Sequence, residues 1–265
     1  MTPVFTGNYM KCNSVEMDIS GIVITHNEEN NIRECLESIK WLNEIVIVDS
    51  QSKDNTLKIA SEYTDKIFSV DISNVTEKRK YALDKAKFEW VIFIDADERV
   101  TRELKQEILS LKSDEIRDIN GFYINRKNYY FGKWIRHCGL YPDYHLRLFR
   151  KDKAKITDRI VHEAVIVNGT TRKLDNDMLH YSSKDLTQMI DKVNYYSTLE
   201  ALEHFQNKKI ITKTGVFTHA VSAFLRVFIS RKGYKDKING FFVSLNDALV
   251  NFLTHLKLLK LQGKL

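Results

Sequence analysis

Trp90-Val-Ile-Phe-Ile-Asp-Ala-Asp-Glu98 runs five apolar residues straight into three acids. A short, unbroken apolar run with polar ends predicts a strand buried on both faces, with the acids at its carboxyl end. Three earlier stretches share that form. Asp18-Ile-Ser-Gly-Ile-Val-Ile-Thr25 leads into His26-Asn27, Glu44-Ile-Val-Ile-Val-Asp49 closes on its own acid, and Lys66-Ile-Phe-Ser-Val70 stops at Asp71. Helical periods separate them, with Ile32, Cys35, Leu36 and Ile39 in the first and Val75, Ala82, Leu83 and Ala86 in a later one. Strands alternating with helices predict an α/β fold around a mostly parallel sheet covered on both faces. In such sheets the ligand binds outside the carboxyl ends of the strands, where these acids lie. There is no GxGxxG after the first strand and no GxxxxGKS/T anywhere, which argues against ordinary dinucleotide and P-loop sites.

The 265 residues, 43% of them hydrophobic, suffice for one large domain with an appendage or for two small ones. With 29% charged residues and no low-complexity run, a disordered chain is excluded. No window reaches the ~18 unbroken apolar residues of a membrane-spanning helix. The first twenty residues lack a basic start followed by an apolar run, so no secretory signal is expected. Cys12, Cys35 and Cys138 stand far apart, which suits a reducing compartment and supports neither a zinc site nor a disulfide framework. By elimination the chain is expected in the cytoplasm.

Beyond Leu111 the alternation fades. Gly121-Phe-Tyr-Ile-Asn-Arg126, Tyr144-His-Leu-Arg-Leu-Phe149 and Val161-His-Glu-Ala-Val-Ile-Val167 predict strands, and a long helix is expected from about Asp185 to Phe205. Two amphipathic stretches follow. One carries Val216, Phe217, Ala220, Val221, Phe224 and Phe228; the other carries Phe241, Phe242, Leu245, Leu249, Phe252, Leu253 and Leu256. Between them lies the basic segment Arg231-Lys-Gly-Tyr-Lys-Asp-Lys237. Residues 205–265 hold eleven Lys/Arg against two acids, a balance of +9, which leaves 30 basic and 33 acidic residues, −3, for the other 204. An acidic body with a basic, apolar-faced tail predicts two partners, and the tail fits an anionic membrane surface. Packing of the same helices on the body is the competing reading, because periodicity alone does not say what an apolar face meets. Nucleic acid is a weaker fit, since Phe and Leu dominate the segment and no recognised module appears.

Asp95-Ala-Asp97 offers two carboxylates that can hold a hard divalent cation, with nucleotide phosphates completing its shell. The plain alternative is that these acids end a strand and precede a helix starting near Thr101. Their place as the last of four acid- or polar-ended strands favours the ligand reading. At this point the chain resembles the inverting, family 2 glycosyltransferases of GT-A fold. The resemblance is carried by Val23-Ile-Thr-His-Asn-Glu28, Ile47-Val-Asp-Ser-Gln-Ser-Lys-Asp54, Lys78-Arg79-Lys80 and Ile94-Asp-Ala-Asp-Glu98. Trp134-Ile-Arg-His, Tyr141-Pro-Asp143, Leu146-Arg-Leu-Phe-Arg150, Val161-His-Glu163 and Leu179-His-Tyr181 are similar to a bacterial branch containing the lipopolysaccharide core β-glucosyltransferases.

The resemblance implies a GT-A, Rossmann-like catalytic domain over residues 18–206, split into a nucleotide-sugar half (18–110) and an acceptor half (111–206). It leaves an N-terminal extension at 1–17 and the basic amphipathic tail at 207–265. It implies transfer of a hexose, glucose in the first instance, from a UDP-sugar to a lipid-linked saccharide such as the lipopolysaccharide inner core. The enzyme would lie peripherally on the inner face of the cytoplasmic membrane. Thr25 and Asn27 then face the base, Asp49 the uracil or ribose, and Arg79 the pyrophosphate. Asp95 and Asp97 match the metal-binding DxD for Mg or Mn, with Asp97 the surer direct ligand. His180 matches a late histidine that helps bind metal or diphosphate, and His162 competes for that role. An inverting transferase needs a carboxylate to take the acceptor's proton. Glu163 is the first candidate, although Val-His-Glu departs from the family's usual Glu-Asp pair, and Asp143 is the second. A salt bridge to Arg159 is the plain alternative for Glu163. Tyr129, Tyr130, Trp134 and Tyr141 can stack on sugar rings or fill the core.

A polyprenyl-phosphate or capsule-type transferase would share the same donor half. Haloacid dehalogenase-like phosphatases also place Asp-x-Asp after a strand, but on an early one followed by Thr or Ser, whereas here Glu98-Arg99 follows. A non-catalytic membrane-surface protein would account for the tail and leave the acids unexplained.

Overall fold

The structure is a computed structural model and describes residues 17–72, 74–157 and 165–264. Its frame is set by β1 (Ile19–Thr25), buried along almost its whole length. It pairs in parallel with β2 (Glu44–Asp49) on one side and with β4 (Trp90–Asp95) on the other. β3 (Ile67–Ser69) extends the parallel set beyond β2. Helices α1 (Ile32–Ile39), α2 (Thr56–Ala60) and α3 (Val75–Lys85) link these strands. α1 buries Ile32, Cys35, Leu36 and Ile39, the four positions its sequence period marks. Two apolar clusters result, one on each face of the sheet, around Ile19, Val23, Leu36 and Ile92 and around Ile22, Val46, Val91 and Phe149.

Past β4 the sheet becomes mixed. β5 (Glu98–Val100) and α4 (Arg102–Ser110) follow at once, and the Thr101 hydroxyl caps α4 by accepting from the Leu104 amide at 3.1 Å. β6 (Ile119–Tyr130), with the short β7 (Lys133–Trp134) folded against it, pairs antiparallel with β8 (Tyr144–Arg150), which itself lies antiparallel to β4. β9 (Ala154–Ile156) and β10 (Val165–Val167) form a separate two-stranded ribbon. β11 (Thr170–Ser183) runs parallel to β6 and antiparallel to β5, giving the order β3-β2-β1-β4-β8-β6-β11-β5. The parallel arrangement expected from the first four strands holds there. The mixed far side brings β8, β6 and β11 back beside the acids at the end of β4.

α5 (Leu186–Gln206) starts where β11 ends, capped by Asp185, which accepts from the Gln188 amide. α6 (Lys213–Leu225) continues through a π turn at Arg226–Ser230, and α7 (Lys237–Leu261) closes the described chain. Ala201, Ile211, Val216, Leu258 and Leu259 bury one seam among the three helices. A second seam joins the tail to the body through Ile135, Cys138, Val227 and Val243. Close approach here requires glycine, since a Cβ on Gly240 would fall 1.8 Å from the Gly233 carbonyl oxygen. The tail therefore packs on the body along one side. On the other side Phe217, Val221, Leu225 and Ile229 remain exposed. Among the described residues no helix is long and apolar enough to cross a membrane.

Candidate active site

Parallel pairing aligns the strand ends. Thr25 lies beside Asp49 and Ile24 beside Asp95 in the register of β2, β1 and β4. Asp49 is fully buried, and its carboxylate is engaged by the Thr25 hydroxyl (2.8 Å), the Ser52 amide (2.8 Å) and the Ser52 hydroxyl (2.5 Å). Asn27 adopts a left-handed φ of 53°. Its amide donates to Ser52 Oγ and its side-chain oxygen accepts from the Lys53 amide, each at 2.8 Å. The three residues thus knit the β1 turn to the loop after β2. Lys78 is buried nearby, and burial pushes its ammonium below its ordinary value against the opposing pull of Asp49.

Asp95, which ends β4, and Glu98, which opens β5, stand in a lattice of opposite charge. Arg147, on β8, donates to Asp95 Oδ2 at 2.7 Å and pairs with Glu98, which is wholly buried. Arg79, on α3, reaches Asp95 Oδ1 at 3.3 Å. Glu98 also receives Arg126 at 3.2 Å and accepts from the Asp95 amide at 2.9 Å. Partial loss of water would raise the Asp95 carboxyl, but Arg147 and Arg79 outweigh it and hold it far below the usual carboxylate range. Arg99 fastens this turn to the start of α1 by donating to the carbonyls of Ala96 and Asn31, each at 2.8 Å.

Asp97 faces the other way. Its Oδ2 lies 3.1 Å from Lys192 Nζ on α5 and 3.6 Å from His180 Nε2 on β11. Burial works against its charge, and His180 and Lys192 reverse that, holding the carboxyl well below its ordinary value. The Asn128 amide nitrogen donates to the Leu140 carbonyl and to Asp143 Oδ2, which turns its oxygen toward His180 Nδ1 at 2.6 Å. An amide oxygen only accepts, so Nδ1 carries a proton and Nε2 points at Asp97. Facing the carboxylate, Nε2 attracts Asp97 when the ring carries its second proton, and when it does not, its lone pair and the Asp97 oxygen are two donors that a hard cation could share. Among the described residues no three His, Cys, Asp or Glu side chains converge on such a point, so phosphate oxygens would have to complete the shell.

Asp143 precedes β8 and is bound by Arg126 (2.8 Å), His145 (2.9 Å) and Asn128 (3.0 Å). Burial opposes its charge, but His145 and Arg126 keep it well below the carboxylate range. Glu163, His162 and Arg159 fall outside the described residues. The structure thus gathers Arg79, Asp95, Asp97, His180 and Asp143 into one network, with Thr25, Asn27 and Asp49 at the neighbouring strand ends. Of the aromatic candidates, Trp134 and Tyr141 meet edge to face at 5.2 Å, and Tyr129 packs on Tyr181 at 5.3 Å.

Sequence reasoning missed Arg126, Arg147, Asn128, His145 and Lys192. Arg147 left a trace, since a charge alternating with Leu146 and Leu148 in a buried strand demands an acid partner. Lys192 left none, because a lysine beside a helix's apolar stripe looks like any solvated one.

Strand-end acids on a parallel half-sheet, backed by a mixed far side, define an α/β architecture with its candidate site at the strand ends. The family described as Glycosyl transferase family 2 matches residues 20–175, more than half of the chain, and the chain belongs to it; its fold is GT-A-like. It is 29% identical over 254 residues to the lipopolysaccharide core biosynthesis glycosyltransferase LpsC of Rhizobium meliloti, covering 92% of each chain. It is 27% identical over 257 residues to an uncharacterized glycosyltransferase of Rickettsia typhi, covering 93% of this chain and 88% of that one. Among solved structures it is similar to S. aureus TarS 1–349 in complex with UDP-GlcNAc, at 16% identity and TM-score 0.49, covering 94% and 93% of the two chains. Family membership sets aside the phosphatase and non-catalytic readings.

Proposed function

We propose that this glycosyltransferase moves a hexose, glucose in our reading, with inversion from a UDP-sugar to a lipid-linked saccharide of the lipopolysaccharide inner core. The observation that carries the reading is the Asp95–Asp97 pair, set in a network of cations at the strand ends of a family 2 chain. The acceptor class is supported by the likeness to LpsC over 92% of each chain.

In this reading Asp49 shapes the nucleoside pocket by holding Thr25 and Ser52, and Asn27 fixes the turn that faces the base. Arg79 reaches the pyrophosphate from α3. Asp97 and His180 Nε2 would hold the divalent cation, Mg or Mn, with Asp95 orienting Arg79 and Arg147 beside it. The cation, when bound, supplies positive charge next to the leaving diphosphate. Glu163 takes the proton from the acceptor hydroxyl as its oxygen attacks the sugar's anomeric carbon, and the carbon–oxygen bond to UDP breaks on the opposite face. Asp143 is the weaker base, because its three partners stabilise the carboxylate and lower its proton affinity. The basic tail carries the enzyme to the inner face of the cytoplasmic membrane, where its acceptor lies. The division of the chain at residues 17, 110 and 206 belongs to the same proposal.

The test is a donor screen that measures UDP release from a panel of UDP-hexoses, with and without a lipid-linked core saccharide and with and without Mg or Mn. Acceptor-dependent release from UDP-glucose supports the reading. Release only from another donor, or only with polyprenyl phosphate, would move the assignment within the family.

A further inference from the structure

Lys192 reaches this site from α5 rather than from the sheet or from α3. It projects from α5 across the strand ends, donating to Asp97 Oδ2 at 3.1 Å and to the Ser182 carbonyl at 2.8 Å. Glu28, in the β1 turn, and Tyr196, one turn along α5, lie close enough to feel its charge. An ammonium has three donors, and no third partner is found for it among the described residues. Arg126 and Arg147 are each held by two carboxylates. Lys192 is held by one, on a flexible four-carbon stem.

The charges around it nearly cancel. Asp95, Asp97, Glu98 and Asp143 face Arg79, Arg126, Arg147 and Lys192. A divalent cation arriving on Asp97 would meet the Lys192 ammonium on the same oxygen, and like charges at that separation repel strongly. A dianionic diphosphate arriving at the strand ends would in turn be an acceptor for the unused donor. The two events favour one movement, that of the lysine from carboxylate to phosphate.

We propose that Lys192 is a donor-binding residue: its ammonium rests on Asp97 in the free protein and passes to the diphosphate when the nucleotide-sugar binds, clearing Asp97 for the divalent cation. The proposal rests on the reading that the donor is a UDP-sugar. It makes α5 part of the donor site as well as the link to the tail. It also makes the resting site self-neutralised, with an internal cation standing where the external one will bind.

Calorimetric titrations with UDP alone and with Mn2+ alone test it on the full chain, for the unsubstituted protein and for Lys192→Gln and Lys192→Arg. Glutamine removes the charge and keeps an N–H donor on a stem one bond shorter, and the partial exposure of Lys192 guards the fold. Loss of a charge-assisted bond should weaken metal-free UDP binding to Lys192→Gln by about tenfold or more, while Mn2+ binding tightens by about tenfold. Lys192→Arg should keep UDP binding within about threefold, since the charge remains. In turnover, Lys192→Gln should raise the donor KM more than it lowers kcat. Equal UDP affinity in Lys192→Gln and the unsubstituted protein would overturn the assignment, as would Mn2+ affinity that falls with the charge. If the unsubstituted protein binds no UDP, the donor reading itself fails and takes this one with it; if it binds UDP and Lys192→Gln binds as well, only the Lys192 assignment fails.

Discussion

At the strand ends Asp97 keeps its charge because His180 and Lys192 stand 3.6 and 3.1 Å from its carboxylate. In the tail His255 is only 3% exposed, and no carboxylate hydrogen-bonds to it among the described residues. Its Nδ1–H donates to the Asn251 carbonyl at 2.8 Å, and its Nε2 faces Lys209 Nζ at 3.4 Å. His219 stacks on its ring at 4.6 Å and His204 lies 6.0 Å away. Both regions bury titratable groups, with opposite outcomes. The site stabilises charge by pairing it, whereas the tail gives His255 no opposite charge among the described residues and pushes its imidazole down to about 4, mainly by burial with Lys209 and His219 adding. Paired charge suits the diphosphate and metal that the proposed function brings to the strand ends; an imidazole kept neutral suits packing between helices.

The largest effect should come from breaking the charged region. Asp97→Asn should lower transfer by about 10²–10³-fold, the scale seen when a group stabilising transition-state charge is removed. The chain should stay folded, because Lys192 is about one-third exposed and keeps the Ser182 carbonyl. Near-normal turnover with intact metal dependence would show that Asp97 is not a ligand.

The tail should fail in the opposite direction, under acid. The folded His255 value near 4 lies below the ordinary 6.5, so between those values the unfolded chain binds a proton that the folded chain refuses. Stability from this residue is fully present above pH 6.5 and is lost as pH falls toward 4, amounting to about 3 kcal/mol at the low end. His204, also pushed down by burial, adds in the same sense. Urea unfolding at pH 7, 6 and 5, with hydrogen exchange followed in α7, would show the loss, and His255→Gln should flatten the slope. An unchanged slope in that variant would place the sensitivity elsewhere.

A third test separates the two candidate bases. Glu163→Gln should depress turnover by about 10²-fold and leave UDP affinity alone. Asp143→Asn should mainly disturb Arg126 and His145, the partners that keep Asp143 ionised. If Asp143→Asn removes the acid limb of the pH–rate profile while Glu163→Gln remains active, the base belongs to Asp143.

The two regions also differ in how legible they were. The four buried strands and their acids could be read because each strand is one contiguous run, and its carboxyl end follows in sequence. Asp95, Asp97 and Arg79 came from that reading together with the family resemblance. Arg126, Arg147 and Lys192 come from β6, β8 and α5, and their meeting depends on antiparallel pairings with long sequence separation that no local pattern encodes. The tail showed the reverse. Its helices were plain from their period, but which face meets the body depends on contacts such as Cys138 with Val227 and Val243, which periodicity does not contain.

That unsettled face supplies the smallest expected effect. Phe217, Val221, Leu225 and Ile229 line an exposed groove of about 590 Å³ on α6 and its π turn. Tyr234 and Phe241 continue the apolar surface through ring contacts with Phe228. Arg231, Lys232, Lys235 and Lys237 are exposed around the adjoining turn. The nearby acids are already engaged, Asp236 by the His137 amide and Asp247 by Arg226. An apolar ridge edged by Arg231, Lys232, Lys235 and Lys237, for which no ion pair is found among the described residues, fits an anionic bilayer surface. Each basic residue near such a surface contributes about 1 kcal/mol, so Lys232→Ser with Lys235→Ser should weaken binding to phosphatidylglycerol-containing vesicles roughly thirtyfold at low salt. The difference should shrink at high salt, as screening shortens the reach of the charges. Phe217→Ser should weaken flotation at both salt concentrations, since apolar insertion is not screened. Transfer to a short soluble saccharide should survive all three substitutions, because none touches the strand-end network. Flotation that ignores both the charges and Phe217 would assign this face to another partner and leave the tail as packing alone.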